Sequence, residues 1–217
     1  MQRRNSMIRV LPLLLLVLLV SACSQLAVPA LIRPNFETDT LKLRPGSYRL
    51  DPDHSFLLFK VGHLDLATYV GRFNEFDASL EFEPTDIENS SLQGIVQMSS
   101  IDTSNVKVDD LLRDPDWFST TRFPQASFES NKVIVLDNVE GKPLLKIEGT
   151  LTMRGITLPV ELQATFNGGA DNLLTRKYTL GFTASGSFNR SDFGVDQFLG
   201  LVGNEVTLEL YAEFQRQ

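Results

Sequence analysis

Leu145-Lys146-Ile147-Glu148-Gly149-Thr150-Leu151-Thr152-Met153-Arg154-Gly155-Ile156-Thr157-Leu158-Pro159-Val160-Glu161-Leu162-Gln163-Ala164-Thr165-Phe166 is the stretch in which a period of two is clearest. Leu145, Ile147, Gly149, Leu151 and Met153 fall on one side, against Lys146, Glu148, Thr150 and Thr152. After Arg154-Gly155 the alternation resumes, with Leu158, Val160, Leu162, Ala164 and Phe166 opposed to Pro159, Glu161, Gln163 and Thr165. Successive side chains of a strand point to opposite faces, so each run has one apolar face and one wet face. Two such runs joined by a short Arg-Gly turn predict a β-hairpin with one side in a core.

The same pattern extends outward. Leu180, Phe182, Ala184, Gly186 and Phe188 alternate with polar or small residues, as do Val206, Leu208, Leu210, Ala212 and Phe214. Upstream, Ser55 to Val61, Phe73 to Phe82, Leu92 to Ile101, Gln125 to Ser130 and Val133 to Val139 read as strands of weaker phase. Phe73 and Phe76 are out of register, which predicts a bulge at Asn74 and Glu75. Turn chemistry separates the runs at Asp51-Pro52, Glu140-Gly141, Arg154-Gly155 and Asn167-Gly168-Gly169. About eight strands connected as a meander predict an all-β domain, an antiparallel barrel or a sandwich. One segment departs from period two: Val106 to Arg113 has apolar residues at 108, 111 and 112, and Asp114-Pro115 can start a turn through Trp117 and Phe118. One or two short helices are therefore expected near residues 105–118.

The N-terminus reads as an export signal. Arg3, Arg4 and Arg9 precede the apolar run Val10 to Val20, which is too short to span a bilayer and ends at Ser21-Ala22-Cys23. Val20-Ser21-Ala22-Cys23 resembles the lipobox of bacterial lipoproteins. The resemblance implies that residues 1–22 are removed and that Cys23, the single cysteine, becomes a palmitate-bearing lipidated N-terminus anchored in the cell envelope. Ser24, rather than Asp, after the cysteine resembles an outer-membrane address facing the periplasm. Residues 23–46, with Pro29, Pro34 and Pro45, read as a flexible tether, and residues 47–217 as the domain. Removing residues 1–22 deletes three positive charges and no negative one, taking the net charge from −7 to −10. Such an acidic domain excludes nucleic acid as a natural partner.

Chemistry-bearing residues are few. The two histidines, His54 and His63, have no metal-ligand spacing around them, and Asp53-His54-Ser55 cannot act as a relay because neighbours on a strand face opposite ways. No phosphate loop or dinucleotide fingerprint is present. No catalytic residue, metal or cofactor is assigned, and an enzyme is not expected. The 15 phenylalanines are more informative. An eight-strand barrel is just filled by its side chains or holds one slender ligand. Gly149, Ala164, Ala184 and Gly186 on inward faces leave both outcomes open.

Several further stretches, read together, resemble the YceI-like family of lipocalin-like barrels, whose members bind polyisoprenoids or similar long-chain amphiphiles. They are Tyr48-Arg49-Leu50-Asp51-Pro52-Asp53-His54-Ser55, Gly71-Arg72-Phe73, Ser100-Ile101-Asp102-Thr103 and Leu112-Arg113 before Trp117-Phe118. Phe123-Pro124, Gly149 to Thr157, Asn189-Arg190-Ser191-Asp192-Phe193-Gly194 and Val202-Gly203-Asn204-Glu205-Val206 complete the set. The chain departs from the family at Leu111, where a histidine is usual, and at Trp117, where a phenylalanine is usual. The first change makes the rim of the implied pocket more apolar. The resemblance implies a single antiparallel lipocalin-like β-barrel binding an isoprenoid- or quinone-type lipid. The implied lining is Phe56, Leu58, Phe73, Leu112, Trp117, Phe118, Phe128, Phe182 and Phe188, with His54, Arg113, Arg190 and Asp192 toward a headgroup. Arg190 and Asp192, two apart, could instead pair with each other. The rival reading is an envelope interaction module with a filled barrel and no ligand, and a homodimer is compatible with either.

Overall fold

The computed structural model describes residues 36–139 and 142–217. Residues 1–35, including the expected signal, Cys23 and most of the expected tether, lie outside the described residues. The strands are β1 (Gly46–Leu50), β2 (Phe56–His63), β3 (Ala67–Phe73), β4 (Phe76–Phe82), β5 (Ser91–Gln97), β6 (Ile101–Asp102), β7 (Gln125–Val139), β8 (Lys142–Met153), β9 (Ile156–Asp171), β10 (Tyr178–Asn189) and β11 (Val202–Arg216). Among the described residues one α-helix, α1 (Val106–Arg113), follows β6 on the way to β7.

All strands belong to one antiparallel sheet that closes on itself through β1 and β11, with Tyr48 opposite Arg216 and Leu50 opposite Phe214. The N-terminal half of β11 pairs instead with β2, Leu208 opposite Phe59. Thus β1 and β2 form one interrupted stave. β3 with β4, and β5 with β6, form two more, because β3 pairs with β2 and β6 while β4 pairs with β1 and β5. Counted this way, the wall is a closed barrel of eight antiparallel staves, and closure excludes a sandwich.

The three interruptions are neighbours in register. At Asn74 and Glu75, where a bulge is expected, Asn74 N–H donates to the Ser100 carbonyl (3.1 Å) and Glu75 N–H to the Ser100 hydroxyl (3.0 Å). The Ser100 hydroxyl donates in turn to the Gln97 carbonyl (2.7 Å). At the first break, the Asp51 side chain accepts from Asp53 N–H (3.2 Å), and the Asp51 N–H donates to the Glu213 carbonyl (2.8 Å). Backbone groups that leave the ladder are thereby still partnered.

Below the breaks the barrel is full. Tyr48 from β1, Phe82 from β4, Phe166 from β9, Phe182 from β10 and Phe214 from β11 pack as one ring cluster, with centroids 5.2 Å apart for Phe166–Phe182, 5.9 Å for Phe182–Phe214 and 6.1 Å for Tyr48–Phe82. Edge-to-face and tilted pairs at these spacings suit the ring quadrupoles. The described part of the expected tether is not free. Glu37 bridges to Gly169, Leu43 is buried in this cluster, and Arg44 holds Asp171 through two hydrogen bonds (2.8 and 2.7 Å) while its guanidinium lies 4.3 Å from the Tyr178 ring centre. Gly186 is not a gap in the interior: a Cβ there would lie 2.5 Å from the Glu161 carbonyl and 2.6 Å from Leu162. Its smallness serves close approach of β9 and β10 rather than a channel.

Candidate functional site

Above the breaks the interior is open. Along β11 the inward residues pass from Val206 and Leu208 through Leu210 to Ala212 and Phe214, and only the last two belong to the filled end. The upper space is a cavity of 320 Å³. Leu57, Phe59, Val61 and His63 of β2 line one side, Leu151 and Met153 of β8 another, and Phe188, Val206 and Leu208 a third. A second chamber of 120 Å³ shares Leu57, Val96, Ala126, Leu151 and Leu208 with the first and continues it inward. Ala78, Gly94, Ala126 and Ala184 keep this inner chamber open, and nothing lies within 3.9 Å of a Cβ built on Gly94.

Helix α1 crosses the outer end. The Asn105 side chain caps it by accepting from Lys107 N–H (3.2 Å), and buried Asp109 accepts from the Thr103 amide (2.8 Å) and hydroxyl (2.6 Å). These bonds set the helix so that Val108, Leu111 and Leu112 face the cavity. Leu111 stands where a histidine is usual in the resembled family, so this part of the rim is apolar. On the cavity wall the polar side chains among the described residues are His63, Tyr69 and Arg190, together with the indole of Trp117.

The expected site residues divide. Phe73, Leu112, Trp117, Phe118, Phe188 and Arg190 line the outer chamber, and Phe128 the inner one. Phe182 lies in the ring cluster of the filled end. Phe56 and Leu58 are off the wall by one residue: Leu57 and Phe59 point inward, and Phe56 is 53% exposed. Phe56-Leu57-Leu58-Phe59 is apolar on both faces, so alternation alone could not choose the phase.

Arg113 is also off the wall. It donates to the Ser99 carbonyl (2.9 Å) and the Ile101 carbonyl (2.9 Å) and pairs with Asp110 (3.0 Å), fastening α1 to β6. His54 sits at the first strand break, where its Nδ1 is 2.9 Å from Asp51, and that hydrogen bond and charge raise its pKa above the ordinary imidazole value. Asp51, His54 and Glu213 have ligand atoms within 4.8 Å of one another. The Asp51 oxygens are, however, engaged by Asp53 N–H, His54 and Gln215, so the trio is accounted for as a joint of the barrel wall.

Arg190 and Asp192 do not pair. They stand in a 3-10 turn, Arg190–Phe193, rather than on a strand, and Asp192 is exposed. Arg190, 4% exposed, donates to the carbonyls of Gly203 (2.8 Å), Val195 (2.8 Å) and Val202 (3.0 Å) and lies 5.7 Å from the Trp117 ring centre. Burial lowers its pKa, with the Asp196 charge opposing. Its role is to clamp the loop between β10 and β11 around the mouth. The sequence reading missed His63 and Tyr69, because β3 was not recognised. Val70 faces outward at 48% exposure, which blurs the alternation of that strand.

A closed eight-stave barrel with one filled end and one apolar end chamber defines a lipocalin-like barrel. The chain belongs to the YceI-like domain family, whose model matches residues 48–214. It is 32% identical over 170 residues to UPF0312 protein YE1254 of Yersinia enterocolitica, covering 77% of this chain and 85% of that one. Among solved structures it is similar in fold to BcnA of Burkholderia cenocepacia, at 22% identity and TM-score 0.67, covering 76% of this chain and 98% of that one. It is also similar to a polyisoprenoid binding domain from Saccharophagus degradans, at 13% identity and TM-score 0.56, covering 80% of this chain and all of that one.

Arg190→Met should destabilise the barrel, because three carbonyls lose their donor at about 1–3 kcal/mol for each group left buried. Asp192→Asn should be neutral within about 0.5 kcal/mol. Chemical denaturation, with amide exchange over residues 195–203, separates this from an Arg190–Asp192 pair, in which both substitutions would act alike.

Proposed function

We propose that this protein binds one long, slender, apolar lipid of the polyisoprenoid or quinone class, tail inward, as a carrier, store or sensor at the envelope membrane. The observation that carries the reading is the run of two apolar chambers ending on the ring cluster, a shape suited to a chain rather than a compact ligand. The outer chamber alone falls in the range usual for ligand sites, about 300–1,000 Å³. His63 and Tyr69 sit where a headgroup would emerge. Binding would be driven by burial of apolar area, about 0.8 kcal/mol per methylene. The family tie and the fold shared with a polyisoprenoid binding domain support the ligand class. Among the described residues the wall pairs no nucleophile with a base, so we propose binding rather than turnover. The cavity speaks against the interaction module with a filled barrel, because only the lower half is filled.

Isoprenoid alcohols of increasing length test the reading. Affinity should rise with each added unit until both chambers are occupied and then level off. Gly94→Phe, at a position where a Cβ meets nothing nearer than 3.9 Å and the backbone is ordinary, sends a ring into the inner chamber and should end the rise at shorter alcohols while the unfolding midpoint holds. Affinity independent of length, or unmoved by Gly94→Phe, would contradict it.

The same reading places Cys23 at the membrane as an acylated N-terminus, in the outer membrane and facing the periplasm. It is supported by the basic, apolar and small-residue order of residues 1–23. Labelled palmitate should enter the chain in growing cells and be lost in Cys23→Ser. Incorporation that survives the substitution would refute acylation at this site.

A further inference from the structure

We propose that the rim of the open end is a membrane-docking surface that seats on a zwitterionic lipid bilayer, so that a lipid passes between bilayer and cavity along apolar surface; the transfer, though not the docking, rests on the function proposed above. Two turns and the helix form this rim. Leu64 and Leu66 in the β2–β3 turn are 45% and 85% exposed, and Phe198, Leu199 and Leu201 before β11 are 56%, 48% and 54% exposed. The turns are tied together, Leu64 N–H donating to the Leu201 carbonyl at 2.8 Å. The first turn of α1 carries Val106, 73% exposed, and the same helix sends Val108 and Leu111 to the cavity wall that Phe198 also lines. The patch is continuous with the cavity, since Phe198, Val202 and His63 belong to both turn and wall.

The backbone carries an independent sign. Among the described residues, Leu64 (φ 55°) and Phe198 (φ 55°) are the large apolar residues in the left-handed region; the other non-glycine residues there are Asp65, Ser104, Ser119, Arg154 and Arg176. Leu64 and Asp65 occupy the centre of a tight turn closed by Leu66 N–H to the His63 carbonyl (3.0 Å), where asparagine or glycine is favoured. Bulky side chains held at that conformation, and pointed at solvent, mark a surface with a use.

Charge selects the occupant. Asp65, Asp110 and Asp196 are exposed around the rim, against Lys107 and Arg113, the latter paired with Asp110. Two copies facing each other would bring these acids together in a chain of net charge −7, and an anionic surface would be repelled likewise. Zwitterionic headgroups present no such opposition. The tether allows the orientation. Phe36 lies at the filled end, next to the Glu37–Gly169 bridge, and the 13 residues from Cys23 to Phe36 reach about 45 Å when extended. The 12-residue β10, tilted as barrel strands are, stands about 30 Å tall.

The test uses the full chain carrying Leu66→Cys, or Leu174→Cys in the β9–β10 turn at the opposite end, labelled with a fluorophore; the unsubstituted chain sets the background from Cys23. The probe is vesicles of phosphatidylethanolamine and phosphatidylcholine with spin-labelled acyl chains. The label at 66 should lose most of its fluorescence and the label at 174 should keep it. Leu64→Asn, which suits the left-handed backbone, together with Leu199→Asn and Leu201→Asn, which lie outside the cavity wall, should abolish the quenching at 66 without lowering the unfolding midpoint. No quenching at 66, equal quenching at both positions, or a doubled mass in solution with the labels at 66 quenching each other would overturn the proposal, the last in favour of a second copy. Solvent extraction of the same samples keeps the two readings apart. Quenching at 66 without extractable lipid supports docking and removes the cavity reading, whereas lipid without quenching overturns docking alone.

Discussion

An eight-stave barrel has an interior that its own side chains can just fill, and leaving part of it empty sacrifices packing that the rest must supply. The ring cluster of Tyr48, Phe82, Phe166, Phe182 and Phe214 concentrates that packing at one end. Residues 36–45 then cap it, with Leu43 buried against the cluster and Arg44 paired to Asp171. With one end closed in this way, the other end can keep a cavity.

The three strand breaks divide the two regimes. β1 and β4 contribute Tyr48, Leu50, Leu80 and Phe82 to the filled end, whereas β2 and β3, beyond the breaks, contribute Leu57, Phe59 and Phe73 to the cavity. A continuous strand would carry one curvature along its whole length. An interrupted one lets the same stave wall a tight plug and then a wider chamber, and Ser100 and Asp51 partner the backbone where it leaves the ladder. At the mouth, Arg190 performs the corresponding task by tying a carbonyl of the loop that bears Phe198 to two carbonyls at the start of β11.

Much of this was legible in the chain. From Leu145 to Phe166, and again in β10 and β11, alternation gave the correct inward face, because those strands have one polar side. The family motifs from Tyr48 to Ser55 and from Asn189 to Gly194 marked the joints of the barrel. What stayed hidden had local causes. Phe56 to Phe59 is apolar on both faces, Val70 disguises β3, and the partners of Arg190 are backbone carbonyls, which leave no trace in side-chain patterns. The division of the phenylalanines between plug and cavity is a long-range outcome: Phe182 and Phe188 share one face of one strand and end up in different halves.

The central claim is that the upper half of the barrel holds a lipid chain. Native mass spectrometry of the folded chain, released gently from the cells that made it, reads this most directly. The account predicts a population heavier than the protein by the mass of one long-chain lipid, lost as a neutral on activation. A chain that is bare at every energy, from cells rich in isoprenoid lipids, would contradict it.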